Sequence, residues 1–216
     1  MSKTTRHAVA ALLFLTCIFS KPLSAQDWNF RHETNGVKVY QRSSSSGQEL
    51  KLVTQFSCNL SSLVALFNNV SEYPRWGYKV KNTRMVSRIS DNEFIFYQQF
   101  DFPWPLSDRD VIMHAVIRQD PDTRVVTLQS SAAPDQLPEY SDFVRVRKAF
   151  VRWTLVPLPN NQVQAEYWLN TDPGGLLPDW TVNMAADSGP VQTVQNMKKI
   201  LSEEQYRNAR VAYIKN

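Results

Sequence analysis

Asp172-Pro173-Gly174-Gly175-Leu176-Leu177-Pro178 is the stretch on which the fold turns. Two prolines around two glycines end a run of alternating, extended sequence. Proline cannot donate to a sheet ladder, and glycine accepts backbone turns that other residues resist. Pro178 suits the first turn of a helix, where its missing N–H costs nothing. Beyond it Trp180, Met184, Val191, Val194 and Leu201 recur at helical spacing, an apolar stripe on a long C-terminal helix. Gly189-Pro190 is placed to kink that helix. Such a stripe has to lie on something.

Its partner is written upstream. Gly36–Arg42 (GVKVYQR) and Leu50–Ser57 (LKLVTQFS) alternate as two strands of a hairpin, with the serine run Ser43–Ser46 as their loop. Asn59 or Ser61 then caps a helix whose Leu63, Leu66, Phe67 and Val70 share one face. Tyr73-Pro74-Arg75-Trp76 follows as a short helical or turn segment. Strand-like stretches come next at Val80–Ser90, Glu93–Phe102, Arg109–Arg118, Arg124–Ser131, Val144–Val156 and Gln162–Asn170. In the second of these, Phe94, Phe96, Gln98, Phe100 and Phe102 fall on one side. Short turns between successive strands predict an antiparallel meander, and the missing strand–helix alternation argues against a doubly wound sheet. The expected class is α+β: a curved antiparallel sheet gripping a long C-terminal helix.

The first 25 residues stand apart. Lys3, Arg6 and His7 precede an apolar run, Ala8–Phe19, and Leu23-Ser24-Ala25 offers small residues before Gln26. That order is the layout of a signal peptide, and the run is shorter than the about 20 residues that span a bilayer. The reading predicts an exported protein, periplasmic or secreted, with its domain over 26–210 and a tail over 211–216. The leader takes Lys3, Arg6 and Lys21 with it, so the formal charge of +4 shrinks to a near-balance of basic and acidic residues. Nucleic acid is therefore not an expected partner. Cys17 also leaves, and Cys58 alone cannot form an internal disulfide, so the core must hold the fold.

Five blocks share an order with a known family. They are Gly36–Arg42, Tyr73–Trp76, the PWPxSxRD run Pro103–Asp110, Val144–Val146 leading to Trp153–Pro157, and Asp172–Asn183 (DPGGxxPxWxxN). Together they span roughly Trp28 to Tyr206, and the chain resembles the START (StAR-related lipid transfer) family, nearest its phosphatidylcholine-transfer branch. The resemblance implies a helix-grip fold with a lipid held in a tunnel between sheet and helix, and transient contact with membranes. It implies that Arg109 meets a lipid phosphate. Sterol-binding members carry a buried acid–arginine pair at positions that align with Phe96 and Ala115, both apolar here. The resemblance therefore favours phospholipid-like cargo over a sterol.

The residues themselves support part of this. Arg109 heads a strand side otherwise made of Val111, Met113, Ala115 and Ile117, so its charge needs an anion there. That anion is a lipid phosphate or a carboxylate of Asp101, Asp108 or Asp110. Asn183 is a second headgroup candidate. Tyr97, Phe100, Met113, Trp153, Tyr167, Trp168, Trp180 and Met184 are candidates for the tunnel wall, although alternation lets only one of Tyr167 and Trp168 face it. Gly174-Gly175 and the loop Ala132–Ser141 are candidate lid elements. No catalytic, metal or cofactor motif occurs, since GxSxG, HExxH, a phosphate loop and cysteine–histidine spacings are all missing. The expected protein is a monomeric lipid carrier or sensor. Its rivals are a helix-grip cyclase or hydrolase acting on an apolar small molecule, and a ligand-gated interaction module.

Overall fold

Ten strands dominate the chain, and nine of them form one continuous path. The computed structural model describes residues 28–44, 47–175, 177 and 188–216. The strands are β1 (Asn29–Thr34), β2 (Val37–Ser44), β3 (Gly47–Phe56), β4 (Val80–Ser90), β5 (Glu93–Phe100), β6 (Arg109–Gln119), β7 (Val126–Ala132), β8 (Val144–Arg145), β9 (Lys148–Leu158) and β10 (Gln162–Asp172). They order as β1-β2-β3-β10-β9-β7-β6-β5-β4, with β8 set beside β6. Every pairing on the path is antiparallel, as short local turns demand, and the short β8 alone runs parallel to its neighbour.

Two strand readings needed correction. β1 was absent from the sequence reading, although Asn35-Gly36 sits between it and β2 with φ of 52° and 71°. Two consecutive positive φ values are what a two-residue hairpin turn of the primed type requires. The single strand expected over Val144–Val156 is two. β8 pairs with β6 through Arg109↔Val144 and Asp110↔Arg145, and β9 starts at Lys148 against β10.

Helix α1 (Leu60–Asn68) links β3 to the second half of the sheet. Asn59 is its cap, accepting the Ser62 N–H at 2.8 Å and the Ser62 hydroxyl at 3.0 Å. Leu60, Leu63, Val64, Leu66 and Phe67 are buried on the core side. A 3₁₀ turn, Val70–Glu72, leads into the single-turn α2 (Tyr73–Trp76). Helix α3 (Gly189–Leu201) buries Val194, Met197, Ile200 and Leu201, and α4 (Glu204–Arg207) follows it. This is the C-terminal part of the expected stripe; Trp180, Asn183 and Met184 lie outside the described residues.

Polar contacts set the seat of α3. Thr193 Oγ1 accepts the Tyr78 N–H at 3.0 Å, Asn196 donates to the Trp76 carbonyl at 3.4 Å, and Gln195 donates to Asn35 O at 3.2 Å. The helix thus bridges α2 and the β1–β2 turn across the concave side of the sheet. Residues 211–216 are docked onto the domain. Ile214 is buried, Asn216 accepts the Ser61 N–H at 2.8 Å, and Lys215 exchanges two hydrogen bonds with Gln119.

Candidate functional site: a largely apolar cavity with one buried arginine

Between the inner face of the sheet, α2 and the first turn of α3 lies a cavity of about 590 Å³. Strand alternation decides its wall. On β5 Phe96, Gln98 and Phe100 face it, and on β6 Arg109, Val111 and Met113 do. The two strands are in register, Phe96 opposite Met113 and Phe100 opposite Arg109. Trp153 on β9 and Tyr167 on β10 are also opposite one another, with ring centroids 4.8 Å apart, and both border the cavity. Burial pushes the Tyr167 hydroxyl well above the usual tyrosine range.

Four of the aromatic and methionine wall candidates, Phe100, Met113, Trp153 and Tyr167, therefore sit on this wall. Tyr97 and Trp168 do not, because each occupies the opposite phase of its strand. Tyr97 packs with Ile95 and Ile112 on the outer face, its ring 5.8 Å from that of Tyr140. Trp168 donates its indole N–H to Glu49 at 3.0 Å, with Arg152 over its ring at 4.5 Å.

Arg109 is 3% exposed. Its guanidinium donates to the Ser107 carbonyl and, at 3.3 Å, to Gly174 O, and it stacks at 4.3 Å over the Phe102 ring. The Gly174 carbonyl reaches it because Gly174 and Gly175 take φ of 71° and 68° in succession, a turn that side chains resist. No carboxylate among the described residues pairs with it. Asp108 is bonded to Lys81 at 3.0 Å and to the Phe102 N–H at 3.0 Å, while Asp110 belongs to Arg145. The Arg109 Nε–H is buried with no partner in the structure. Burial holds the Arg109 pKa below its ordinary value, with Asp108 opposing that shift. Of the two anions open from sequence, the carboxylate is already committed elsewhere.

Two features escaped the sequence reading. Trp76 borders the cavity, and its indole N–H is a second buried donor without a partner. The Tyr73–Trp76 block carried that signal, but nothing local showed which way the indole pointed. Arg145 was not singled out either. It forms a bidentate pair with Asp110 at 2.8 and 2.9 Å and donates to the carbonyls of Pro134, Leu137 and Pro138. This fastens the Ala132–Ser141 loop over the outer Tyr97 cluster, so that loop is not a lid on the cavity.

Among the described residues, no histidine or cysteine borders the cavity and no cluster of metal-ligating side chains occurs. His114 is on the outer face, 2.7 Å from Glu93. Cys58 is buried, and its thiol is pushed up to about 12 by desolvation.

Comparison with known proteins agrees with this architecture. The START domain model matches residues 21–207. A mouse phosphatidylcholine transfer protein is 27% identical over 184 residues, covering 82% of this chain and 85% of its own. An uncharacterized protein of Pseudomonas aeruginosa is 28% identical over 177 residues, covering 81% of this chain and 86% of its own. The solved structure of a STAR-related lipid transfer protein from Xanthomonas axonopodis superposes with a TM-score of 0.75 at 25% identity, covering 82% of this chain and 99% of that one. Sheet, gripped helix and the match over most of its length together establish that the chain belongs to the START domain family.

Proposed function

We propose that the protein is an exported, monomeric lipid carrier that binds a phosphate-bearing lipid in the cavity. The observation that carries this is Arg109, a buried guanidinium with an unpartnered Nε–H on a strand side it shares with Val111 and Met113. A phosphate fits its planar fork through paired, charge-assisted hydrogen bonds. Acyl chains fill the apolar remainder, each methylene contributing about 0.8 kcal/mol on leaving water. The orphaned Trp76 N–H is available to an acceptor on the cargo. Similarity to phosphatidylcholine transfer proteins supports the same headgroup chemistry. A carrier is favoured over a cyclase or hydrolase because the described wall lacks histidine and cysteine, and its one carboxylate–amine pair, Lys79 with Asp101 at 3.2 Å, is a partly exposed ion pair.

Loading requires transient contact with a membrane. Trp104, 91% exposed in the β5–β6 loop that sends Phe102 and Pro103 to the cavity wall, is suited to the headgroup layer of a bilayer. The leader, Met1–Ala25, directs export, and the mature chain begins at Gln26. Organic extraction of protein purified from its own host is expected to yield lipid, and N-terminal sequencing is expected to start at Gln26. A lipid-free extract, with no uptake from vesicles, would sink the carrier reading. Trp104→Ala is expected to slow uptake from vesicles several-fold while leaving the folded stability unchanged.

A further inference from the structure

We infer that the outer face of β1, β2, β3, β10 and β9 docks on an anionic bilayer, through cations held between aromatic rings. This rests on the cavity being a lipid site and specifies where the carrier meets its membrane.

Strand register assembles this face from residues that are scattered in sequence. Phe30 lies opposite Tyr40, Tyr40 opposite Lys51, Lys51 opposite Trp168, and Trp168 opposite Arg152. Opposed residues on neighbouring strands share a side of the sheet, so from Tyr40 onward ring and cation alternate along one row. The contacts follow that order. Lys51 Nζ is 4.8 Å from the Tyr40 ring and 4.8 Å from that of Trp28, and the Arg42 guanidinium is 4.4 Å over Trp28. Arg152 lies 4.5 Å over Trp168, which also packs on the Phe150 ring at 5.2 Å.

The charges on this face are unevenly met. Glu49 is buried and committed, accepting from Arg42 at 2.7 Å, from Trp168 at 3.0 Å and from Asn170 at 3.3 Å. Among the described residues, Lys51 and Arg152 have ring partners and no carboxylate at ion-pair distance. Glu166 stands one row away, opposite Val53 and Thr154. A ring attracts a cation without neutralising it, so both keep their charge for an outside anion.

The position of the row says which anion. Because every pairing on the sheet path is antiparallel, the β2–β3 loop, the Asp172–Gly175 turn, the start of β9 and the β5–β6 loop share one end of the sheet. The cation row lies in the half of the strands nearest that end, which also carries Trp104, 91% exposed, and Phe30, 57% exposed. The cavity reaches the same end, bordered there by Gln48, Glu49, Phe102, Pro103, Asp172 and Pro173. Glu49 thus ties the cation row to the cavity rim. An anionic bilayer engages both parts of the face, its phosphates on the cations and its headgroup region on the exposed rings. Contact here sets the rim of the cavity beside the lipid.

The test is co-sedimentation of the purified protein with two kinds of vesicle, phosphatidylcholine alone and phosphatidylcholine mixed equally with phosphatidylglycerol. Wild type is expected to bind the mixed vesicles roughly 30-fold more tightly, and added salt to erase the difference. Lys51→Gln with Arg152→Gln is expected to lose most of that preference, about fivefold for each cation removed. Lys38→Gln with Arg118→Gln removes two exposed cations from the opposite end of the same face and is expected to bind like wild type. Equal binding of wild type to both kinds of vesicle, the outcome for a face that serves an acidic protein instead, overturns the bilayer surface. So does an equal loss in the two double variants. The wild-type comparison stands whether or not either variant folds. Mass spectrometry of the recovered protein separates this inference from the reading beneath it. Lipid taken up without an anionic preference leaves the carrier standing, and no lipid taken up from either kind of vesicle overturns the carrier itself.

Discussion

Two arginines are buried on opposite faces of the same sheet margin, and their surroundings differ in kind. Arg145 holds Asp110 through two hydrogen bonds and spends its remaining donors on three backbone carbonyls, with both side chains almost fully buried. Asp110 raises its pKa further. Arg109, the residue beside Asp110, faces inward with two carbonyls, an aromatic ring and an Nε–H without a partner. A saturated buried ion pair is an element of structure, since removing either partner strands the other. An unsaturated buried cation beside a cavity is the kind of group that we propose binds the cargo. Neighbours in sequence thus differ: Asp110 anchors a loop, and Arg109 keeps an unpartnered Nε–H at the cavity.

The sharpest way to break this contrast is to remove each cation alone. Arg145→Met leaves Asp110 buried without a partner and is expected to cost about 3–5 kcal/mol, read as a lower urea midpoint or melting temperature. Arg109→Met deletes an incompletely satisfied charge, so stability is expected to stay level or rise. Its cost falls on binding. Losing charge-assisted bonds worth about 1.5–3 kcal/mol weakens phosphate-lipid affinity roughly 10- to 100-fold. If Arg109→Met lost stability as heavily as Arg145→Met, both would be structural and the assignment of Arg109 would fail.

A smaller effect refines the comparison. The Phe102 N–H, with Lys81, holds the Asp108 carboxyl below the ordinary range. A depressed folded pKa contributes stability above the unfolded value, near 4, that is lost as pH falls through the folded one. The advantage of wild type over Asp108→Asn is therefore expected to be constant at neutral pH and to vanish in acid. It is expected to reach about 1 kcal/mol at most, because the pair is partly solvated. Denaturation of both proteins across pH measures it.

Most strands and the gripped helix were legible because alternation and helical spacing are local properties of the chain. Phe96, Phe100, Met113 and Arg109 could be put on one side by counting in twos. Three things were not local. Tyr97 and Trp168 are as aromatic as Trp153, and only the face that each strand turns to the helix separates wall from exterior. The break between β8 and β9 follows from Arg145 reaching Asp110, a partner 35 positions away. Asn35-Gly36 did signal the β1–β2 hairpin, and the polar, mostly exposed β1 hid it by lacking an apolar face.

The sequence by itself determined the α+β class, the helix-grip order of elements, the family and the presence of a lone cation among apolar neighbours. Tertiary structure decided that the two carboxylates beside it in sequence are not its partners. Asp108 and Asp110 flank Arg109 along the chain, but a strand sends successive side chains to opposite faces. Long-range partners, Lys81 and Arg145, then claim both carboxylates. Arg109 borders the cavity, whose wall brings together rings from α1, α2, β5 and β9, and no stretch of sequence contains that space.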